Sequence, residues 1–333
     1  MTNERRDTMR AWQVQEAGEP VDVLHAVELP VPEPGPGQIR VRVTAAGVGL
    51  PDVLMCRGSY PLTPPRPFTP GQEATGVVTA VGDGVSREVG SRVMFVSAFY
   101  EGHGSFADEC LALSSTTMPV PDGLTDAEAA GFWIPHLTAW VGLVDRGHLA
   151  PGEWLAVLGA AGGSGIAAVQ LGRALGARVV AVVGDPERAA FCRALGAERT
   201  VDHRAGPLPP QLRAATDDQG VDVVYDPVGG EMAEAAATTL ARYGRHLAVG
   251  FASGRWPTLE THSLVLANTA LVGVYAGGQT ESELDEIHAA LSRLIADGAL
   301  RSAVTATPTF DELPSALQRL ADRSTIGKTV MVR

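Results

Sequence analysis

The apolar positions of this chain change their spacing near its middle. Before about residue 127, short segments alternate apolar and polar side chains, as in Ile39–Ala45, where Arg40, Arg42 and Thr44 interrupt the apolar positions. Alternation with a period of two predicts strands with one buried face. From about residue 137 to 277, continuous apolar runs recur at helix-length intervals. This second pattern predicts a parallel sheet whose strands are connected by helices.

The first region is predicted to be an all-β, barrel-like unit. Its predicted strands include Ala11–Val14, Ile39–Ala45, Gly76–Val81 and Arg92–Val96. Prolines between Pro30 and Pro36 and between Pro61 and Pro70 exclude helices from those connections. Thr125 and Glu128 have the spacing of a capping box, which predicts a helix start.

The second region has six predicted strands. They are Leu155–Leu158, Val179–Val183, Arg199–Asp202, Val221–Asp226, His246–Val249 and Ala270–Tyr275. Beyond them, Leu284, Ile287, Leu291 and Leu294 are spaced as on one face of a helix. A short helix beginning at Phe310 and a closing strand Lys328–Val332 complete the prediction.

A glycine-rich turn stands between the first of these six strands and a predicted helix, Ile166–Leu175. Glycine lets a pyrophosphate approach the backbone N–H groups, and the following helix directs its positive end to the phosphates. The spacing of the glycines is not G-x-G-x-x-G, so a simple tight connection is the alternative. The predicted phosphate-binding residues are Gly159, Ala161, Gly162, Gly163 and Ser164.

The end of the second strand of this region predicts which nicotinamide cofactor is bound. That strand ends at Gly184, where an acid would contact the ribose 2′-OH of NAD. The nearby Asp185 is favoured as a helix N-cap over a ribose contact, because Pro186 follows it. Arg188 and the pair His203-Arg204 offer donors for a 2′-phosphate, although solvated surface charge is the alternative for both arginines. The predicted cofactor is NADPH.

Composition limits the number of domains, the kinds of partner and the cysteine chemistry that this chain can have. A chain of 333 residues, 45% of them hydrophobic, suffices for two cores, and a net charge of −12 argues against a nucleic-acid partner. Cys56, Cys110 and Cys192 are too few and too far apart for a disulfide framework or a cysteine-rich zinc lobe. Without a signal peptide or a long apolar run, we expect a cytoplasmic protein that has no membrane partner. Residues 1–8 are expected to form a frayed extension.

The segment Leu158–Val179 resembles the cofactor fingerprint of the zinc-free quinone oxidoreductase branch of the medium-chain dehydrogenase/reductase superfamily. The resemblance extends from about Met9 to Arg333. It implies an α/β protein with two domains. Residues 1–136 and 278–333 would form a GroES-like β-barrel catalytic domain, and residues 137–277 a Rossmann doubly wound parallel sheet. It also implies a homodimer, with the strand of Gly273–Tyr275 as a plausible edge.

The same resemblance assigns residues to the cofactor. It implies a phosphate contact at His203. Residues near the nicotinamide would be Thr138, Val228, Val249, Gly250, Phe251 and Tyr275. The alternative role of Thr138 is packing within a helix. The alternative role of the glycines at these strand ends is to form turns.

Two positions matched by the resemblance bear on metal binding. Where metal-dependent relatives have a cysteine and a histidine, this chain has Gly49 and Gln72. Neither residue is a normal zinc ligand, and the eight histidines form no cluster in the sequence. We therefore expect no metal.

Reduction of a conjugated carbonyl needs no Lewis acid if hydrogen-bond donors stabilise the developing charge. The resemblance points to Tyr60, in Arg57-Gly58-Ser59-Tyr60-Pro61, as the catalytic donor, with packing against the barrel as the alternative. The predicted function is NADPH-dependent reduction of quinones or activated alkenes, with a small hydrophobic carbonyl or quinone as substrate. An enoyl-thioester or polyketide-type enoyl reductase and a non-catalytic NADPH-binding protein are the alternatives.

Overall fold

The computed structural model describes residues 7–333, which form two compact units. One unit takes the chain up to Ile134 together with Thr280–Ser292 and Ser302–Arg333, and the other takes Pro135–Gln279 and Arg293–Arg301. Most of the expected N-terminal extension lies outside the described residues. Thr8, its last residue, already belongs to the first strand.

The strands and helices are numbered along the chain. The strands are β1 (Thr8–Val14), β2 (Leu24–Pro30), β3 (Gln38–Val48), β4 (Glu73–Val81), β5 (Arg92–Ser97), β6 (Glu109–Pro119), β7 (Trp154–Leu158), β8 (Arg178–Val183), β9 (Arg199–Asp202), β10 (Val221–Asp226), β11 (Leu240–Ala248), β12 (Ala270–Gly273), β13 (Val304–Ala306) and β14 (Lys328–Val332). The α-helices are α1 (Pro20–Val23), α2 (Leu50–Cys56), α3 (Asp126–Ala130), α4 (Trp133–Trp140), α5 (Gly163–Ala174), α6 (Pro186–Ala194), α7 (Leu208–Ala215), α8 (Gly230–Ala237), α9 (Thr261–Ala267), α10 (Glu281–Ala296) and α11 (Leu313–Ala321).

A small antiparallel barrel forms the centre of the first unit. Strands β3, β4, β5 and β6 pair in sequence, and β6 also pairs with β3, which closes the ring. The first part of β3 pairs with β6, and its last part pairs with β14. Ile39, Val41 and Val43 are buried while Arg42 is exposed, so the alternation read from the sequence gives the core face.

The second unit is built on one six-stranded sheet in the order β12-β11-β10-β7-β8-β9. Every pairing in it is parallel. All five residues of β7 are buried, as expected for a central strand covered on both faces. The strand order reverses between β7 and β10, which is the point where sheets of this kind bind their ligands. The predicted α/β class and Rossmann-type sheet are confirmed.

Several element boundaries agree with the sequence prediction. Strands β9, β10 and β14 have the predicted bounds, and Thr125 caps α3 by accepting the backbone N–H of Glu128. Strand β11 begins six residues earlier than predicted. Its register shifts between its first pair and Arg245, and Tyr243 is exposed with a φ of +68°, so no simple apolar pattern marks its start.

Some predicted elements need other corrections. Strands β2 and β6 were not predicted, since half of β2 is exposed and much of β6 is only partly buried. Helix α5 begins at Gly163 instead of Ile166. Strand β12 ends at Gly273, two residues before the predicted end. Within residues 7–333, no helix is both long and apolar enough to cross a bilayer.

Candidate functional site

One edge of the parallel sheet collects most of the predicted cofactor residues. Parallel strands end on the same side, so the segments that follow β7, β8, β9, β10 and β11 share this carboxyl edge. These segments carry the predicted residues Gly159, Ala161, Gly162, Gly163, Ser164, Gly184, His203, Arg204, Val228, Val249, Gly250 and Phe251. Thr138, by contrast, lies within α4, and Tyr275 follows β12.

The glycine turn that follows β7 is solvent-exposed at Gly159 and Gly162. Gly159 has a φ of +59°, a backbone conformation that favours glycine. Gly162 is the N-cap of α5, and no side chain caps the free N–H groups of this helix start. Uncapped backbone N–H groups at a helix N-terminus, next to exposed glycines, suit a phosphate group.

Gly165 has a structural role that sequence reasoning missed. A Cβ on Gly165 would lie 2.5 Å from the carbonyl oxygen of Gly159 and 2.7 Å from the Cα of Ala160. The first turn of α5 therefore approaches the glycine turn so closely that no side chain fits between them. The signal was present in the sequence, as the last glycine of the turn.

Ser164 is fixed by a residue inside the sheet. Its Oγ lies 2.8 Å from the hydroxyl of Tyr225, which is fully buried in β10. Burial raises the pKa of Tyr225, so the phenol keeps its proton and serves as a hydrogen-bond partner. Sequence reasoning missed this pairing, although a tyrosine within an apolar strand is a recognisable signal.

Cationic and imidazole groups surround the end of β8. A Cβ on Gly184 would lie 2.9 Å from both Nε2 of His203 and Nε of Arg204. The backbone N–H of Arg204 donates to Oδ1 of Asp202, which holds the turn after β9 in place. The structure thus brings three predicted residues together, at a strand end that has no acid.

Asp185 is an N-cap, as predicted. Its Oδ1 accepts the backbone N–H of Arg188 at 2.8 Å, and its other oxygen is ion-paired with the Arg188 guanidinium. The hydrogen bonds from Arg188 lower the pKa of Asp185, so the carboxylate stays charged. Since Arg188 is engaged in this way, Arg204 is the stronger candidate for a 2′-phosphate contact.

The loops after β10 and β11 are tied to Asp226, the last residue of β10. Its Oδ1 accepts the backbone N–H groups of Val228 and Gly229, and its main-chain oxygen accepts those of Val249 and Gly250. Val228 reaches back to the glycine turn, since a Cβ on Gly159 would lie 3.0 Å from its Cγ2. The sequence predicted Asp226 only as the last residue of a strand.

Aromatic side chains follow on the same side of the sheet. The rings of Phe251 and Trp256 lie 4.9 Å apart, and half of Trp256 is exposed. Tyr275 is 65% exposed. These rings give the loops after β11 and β12 an apolar, accessible surface.

In the first unit, Tyr60 lies in the turn that follows α2. Its ring is half-buried against the barrel core, with its centroid 6.4 Å from that of Phe99. Its backbone N–H donates to the carbonyl of Leu54, and its carbonyl accepts the hydroxyl of Thr63. The turn that carries Tyr60 is thus held by local hydrogen bonds to its backbone.

Gly49 and Gln72 lie next to a buried carboxyl group. Oδ2 of Asp52 accepts the backbone N–H of Gly49 at 2.9 Å, and Oδ1 accepts that of Gly71 at 3.1 Å. Burial raises the pKa of Asp52 to about 7, against the opposing effect of these hydrogen bonds. The buried amide of Gln72 contacts Sδ of Met55 at 3.8 Å.

A buried ion pair completes this cluster. Nζ of Lys328 lies 2.6 Å from Oε1 of Glu73, and Oε2 accepts the backbone N–H of Ile134. Both side chains are at least nine-tenths buried. Both carboxylate oxygens of Glu73 are therefore engaged in contacts that stabilise the fold.

The donor set does not fit a zinc ion. Among residues 7–333, no three His, Cys, Asp or Glu side chains lie together as metal ligands would. The two positions at which the resemblance expects ligands hold a glycine without a side chain and an amide next to a thioether. The glycine turn, in contrast, fits a nucleotide diphosphate, because its exposed glycines leave room that Cβ atoms would fill.

Two family models match this chain. Residues 35–122 match the family model described as alcohol dehydrogenase GroES-like domain. Residues 163–293 match the model described as zinc-binding dehydrogenase. The first match confirms the predicted GroES-like domain.

Three individual proteins show the likeness over long stretches. A quinone oxidoreductase-like protein 2 homolog from Nematostella vectensis is 30% identical over 86% of this chain and 79% of its own length. The solved structure of a mycobacterial protein complexed with NADPH has a TM-score of 0.90 and 31% identity, and covers 98% of this chain and 100% of that one. A phenolphthiocerol/phthiocerol polyketide synthase from Mycobacterium tuberculosis is 36% identical over 72% of this chain, which corresponds to 11% of that much longer protein. This chain belongs to the quinone oxidoreductase branch of the medium-chain dehydrogenase/reductase superfamily.

Proposed function

We propose that this protein reduces quinones or activated alkenes with NADPH, by hydride transfer that needs no zinc. The observation that carries the proposal is the convergence of His203 and Arg204 on Gly184, where an NAD-binding sheet would have an acid. The NADPH complex of the mycobacterial relative supports the same cofactor.

The residues that would hold the cofactor divide between its two ends. The exposed N–H groups of the glycine turn would bind the pyrophosphate, and Arg204 with His203 would bind the 2′-phosphate. The loops after β10 and β11, with Val228, Val249, Gly250 and Phe251, would contact the nicotinamide half. When bound, NADPH supplies the hydride.

The residues of this chain supply the remaining requirements for reduction. The phenol of Tyr60 is a hydrogen-bond donor that can hold the developing charge on a carbonyl oxygen or deliver a proton. Gly49 and Gln72 offer no zinc ligand, so a hydrogen-bond donor takes the electrophilic role. The partly buried ring of Phe251 and the exposed ring of Trp256 beside it favour an apolar, uncharged substrate.

The proposal is tested by measuring NADPH oxidation with quinones and with α,β-unsaturated ketones. Protein dialysed against EDTA should turn over at least one of these acceptors at the rate of untreated protein. Added zinc should not raise the rate. Absence of turnover across both acceptor classes would contradict the proposal.

A second candidate function is the reduction of enoyl thioesters. It is favoured by the 36% identity with part of a polyketide synthase. Turnover of crotonyl thioesters at a kcat/KM above that of simple quinones and enones would select this function.

We also propose that two copies of the chain associate through β12. This strand is an edge of the described sheet, and Leu271 on the strand and Tyr275 just beyond it are exposed. An exposed apolar edge strand is a template for pairing. Light scattering should give twice the chain mass for the unmodified protein and a lower mass for Leu271→Lys.

A further inference from the structure

His246 and Asp226 form a buried pair within the sheet of the second unit. Both side chains are completely buried, and Nε2 of His246 lies 3.0 Å from Oδ2 of Asp226. The proposed chemistry uses neither group. A strand pattern in the sequence would not have suggested the pair, because His246 occupies a core position of β11.

The hydrogen bonds around the pair fix the direction of donation. Oδ1 of Asp226 already accepts two backbone N–H groups, as a carboxylate does. Because a carboxylate can only accept, Nε2 of His246 carries the proton and donates it to Oδ2. Within residues 7–333, Nδ1 of His246 has no hydrogen-bond partner and is buried. The imidazole therefore acts on Asp226 alone.

Asp226 in turn connects two loops. Val228 and Gly229 donate to its carboxylate at 2.9 and 2.8 Å, and Val249 and Gly250 donate to its main-chain oxygen at 2.9 and 3.1 Å. Rotation of the Asp226 side chain would break the first two bonds. The loop after β11 would be affected as well, because the backbone N–H groups of Ala252 and Ser253 donate to the carbonyl oxygens of Pro227 and Val228. The orientation of both loops thus depends on what holds the Asp226 carboxylate.

The sheet order shows which part of a dinucleotide these loops face. The order reverses between β7 and β10, and a dinucleotide lies across that point with its pyrophosphate at the turn after β7. The groups near Gly184 take the adenosine 2′-phosphate on the β8 side. The opposite half, which carries the nicotinamide, then lies over β10 and β11.

We propose that His246 is a positioning residue for the nicotinamide half of NADPH, which it serves by fixing Asp226 and hence the loops 227–229 and 249–250. The inference rests on the proposed function for the identity of the cofactor. It does not require His246 to touch the cofactor or the substrate.

Three variants separate positioning from general stability. His246→Leu removes the donor and keeps an apolar side chain of similar size, whereas His246→Gln can restore an N–H near the place of Nε2. Thr216→Val is the matched control, because it removes a buried hydrogen bond of the same unit, from Thr216 Oγ1 to the carbonyl of Leu212 at 2.9 Å. Thr216 precedes β10, at the opposite end from Asp226.

The first measurement is backbone amide hydrogen exchange in the cofactor-free protein. His246→Leu should speed exchange at Val228, Gly229, Val249 and Gly250 by about tenfold or more, the size expected for losing a hydrogen bond to a charged group. His246→Gln should recover much of the protection, and Thr216→Val should leave these amides unchanged. Equal exchange in His246→Leu and wild type would overturn the proposal.

The second measurement compares NADPH with adenosine 2′,5′-bisphosphate, which lacks the nicotinamide half. His246→Leu should raise the Kd of NADPH about tenfold, or about 1.4 kcal/mol, and change that of the bisphosphate less than about twofold. Equal weakening of both ligands would overturn the proposal. If wild-type protein bound no NADPH, the proposed function would fail, and the exchange rates would still decide whether His246 fixes the loops.

Discussion

The hydroxyl groups of Ser164 and Tyr225 lie 2.8 Å apart and join the first turn of α5 to the buried strand β10. The glycine turn is thereby anchored at its helical side by a side chain from inside the sheet. A second contact comes from Val228, in the loop after β10, whose side chain lies next to Gly159. Tyr225 in β10 and Val228 just beyond the strand therefore support the phosphate-binding backbone from two directions.

Tyr225→Phe should weaken both the fold and cofactor binding. The change removes one hydrogen bond and leaves the Ser164 hydroxyl without that partner, so the free energy of unfolding should fall by about 1 kcal/mol. The Kd of NADPH should rise by roughly threefold to tenfold, measured by fluorescence titration. Ser164→Ala should have a similar effect. The double variant should be little worse than either single one, and fully additive losses would show that the two hydroxyls act independently.

Two glycines of the same turn should respond differently to alanine. In Gly165→Ala the new methyl group would lie 2.5 Å from the Gly159 carbonyl oxygen, so unfolding in urea should show a loss of about 1–3 kcal/mol. In Gly162→Ala the nearest atom is 3.4 Å away, so the fold should be kept. The exposed methyl group would instead stand where phosphate is expected and raise the Kd of NADPH about tenfold. Similar stability of the two variants would contradict this assignment.

Arg204→Ala should reduce the preference for NADPH over NADH. The guanidinium lies at the end of β8 and offers charge to a 2′-phosphate, which NADH lacks. The ratio of the two Kd values should fall about tenfold, while the Kd of NADH stays nearly constant. Arg242→Ala is the control, because Arg242 is exposed near the start of β11, away from the carboxyl edge. Arg188→Ala should have a smaller effect than Arg204→Ala, since Arg188 is paired with Asp185.

Asp52 should give the stability of the protein a specific pH dependence. Burial raises the pKa of this carboxyl group from 3.8 to about 7 in the folded chain. Between about pH 4 and pH 7 the folded state therefore binds a proton that the unfolded state has lost, and stability falls as the pH rises. Above about pH 7 both states are charged and this contribution stays constant.

Asp52→Asn removes this dependence while keeping a side chain of the same shape. Urea unfolding of wild type and variant should therefore diverge between pH 5 and pH 8, with wild type losing about 2–3 kcal/mol relative to the variant. Parallel pH profiles would show that Asp52 titrates in the folded protein as it does in the unfolded chain.

The sequence predicted the parts of the fold in which a single physical pattern dominates. Strands β10 and β14 were placed correctly because apolar residues occupy most of their positions. Strand β9 has only one apolar residue, Val201, and was placed by its helix-length distance from β8. The cap at Asp185 followed from its position before Pro186. The start of β11 was missed because its first residues are exposed and irregular, and β2 because its burial is uneven.

For the candidate site, the sequence predicted which strand ends carry it but not what supports it. Gly159 and Gly184 follow apolar runs and Arg204 follows the short strand β9, so their proposed roles come from local sequence. Tyr225 and His246 stand inside strands, and their partners Ser164 and Asp226 are 61 and 20 residues away. Pairings of that kind depend on the register of the sheet, which a local pattern does not specify.

The oxidation of NADPH by metal-depleted protein tests the central claim most directly. Protein dialysed against EDTA is mixed with NADPH and a quinone or enone, and the loss of absorbance of the reduced nicotinamide is followed with and without added zinc. We predict turnover that zinc does not increase, and a much slower reaction with NADH. A protein that oxidises no NADPH with any acceptor, or that becomes active only when zinc is added, would contradict the account.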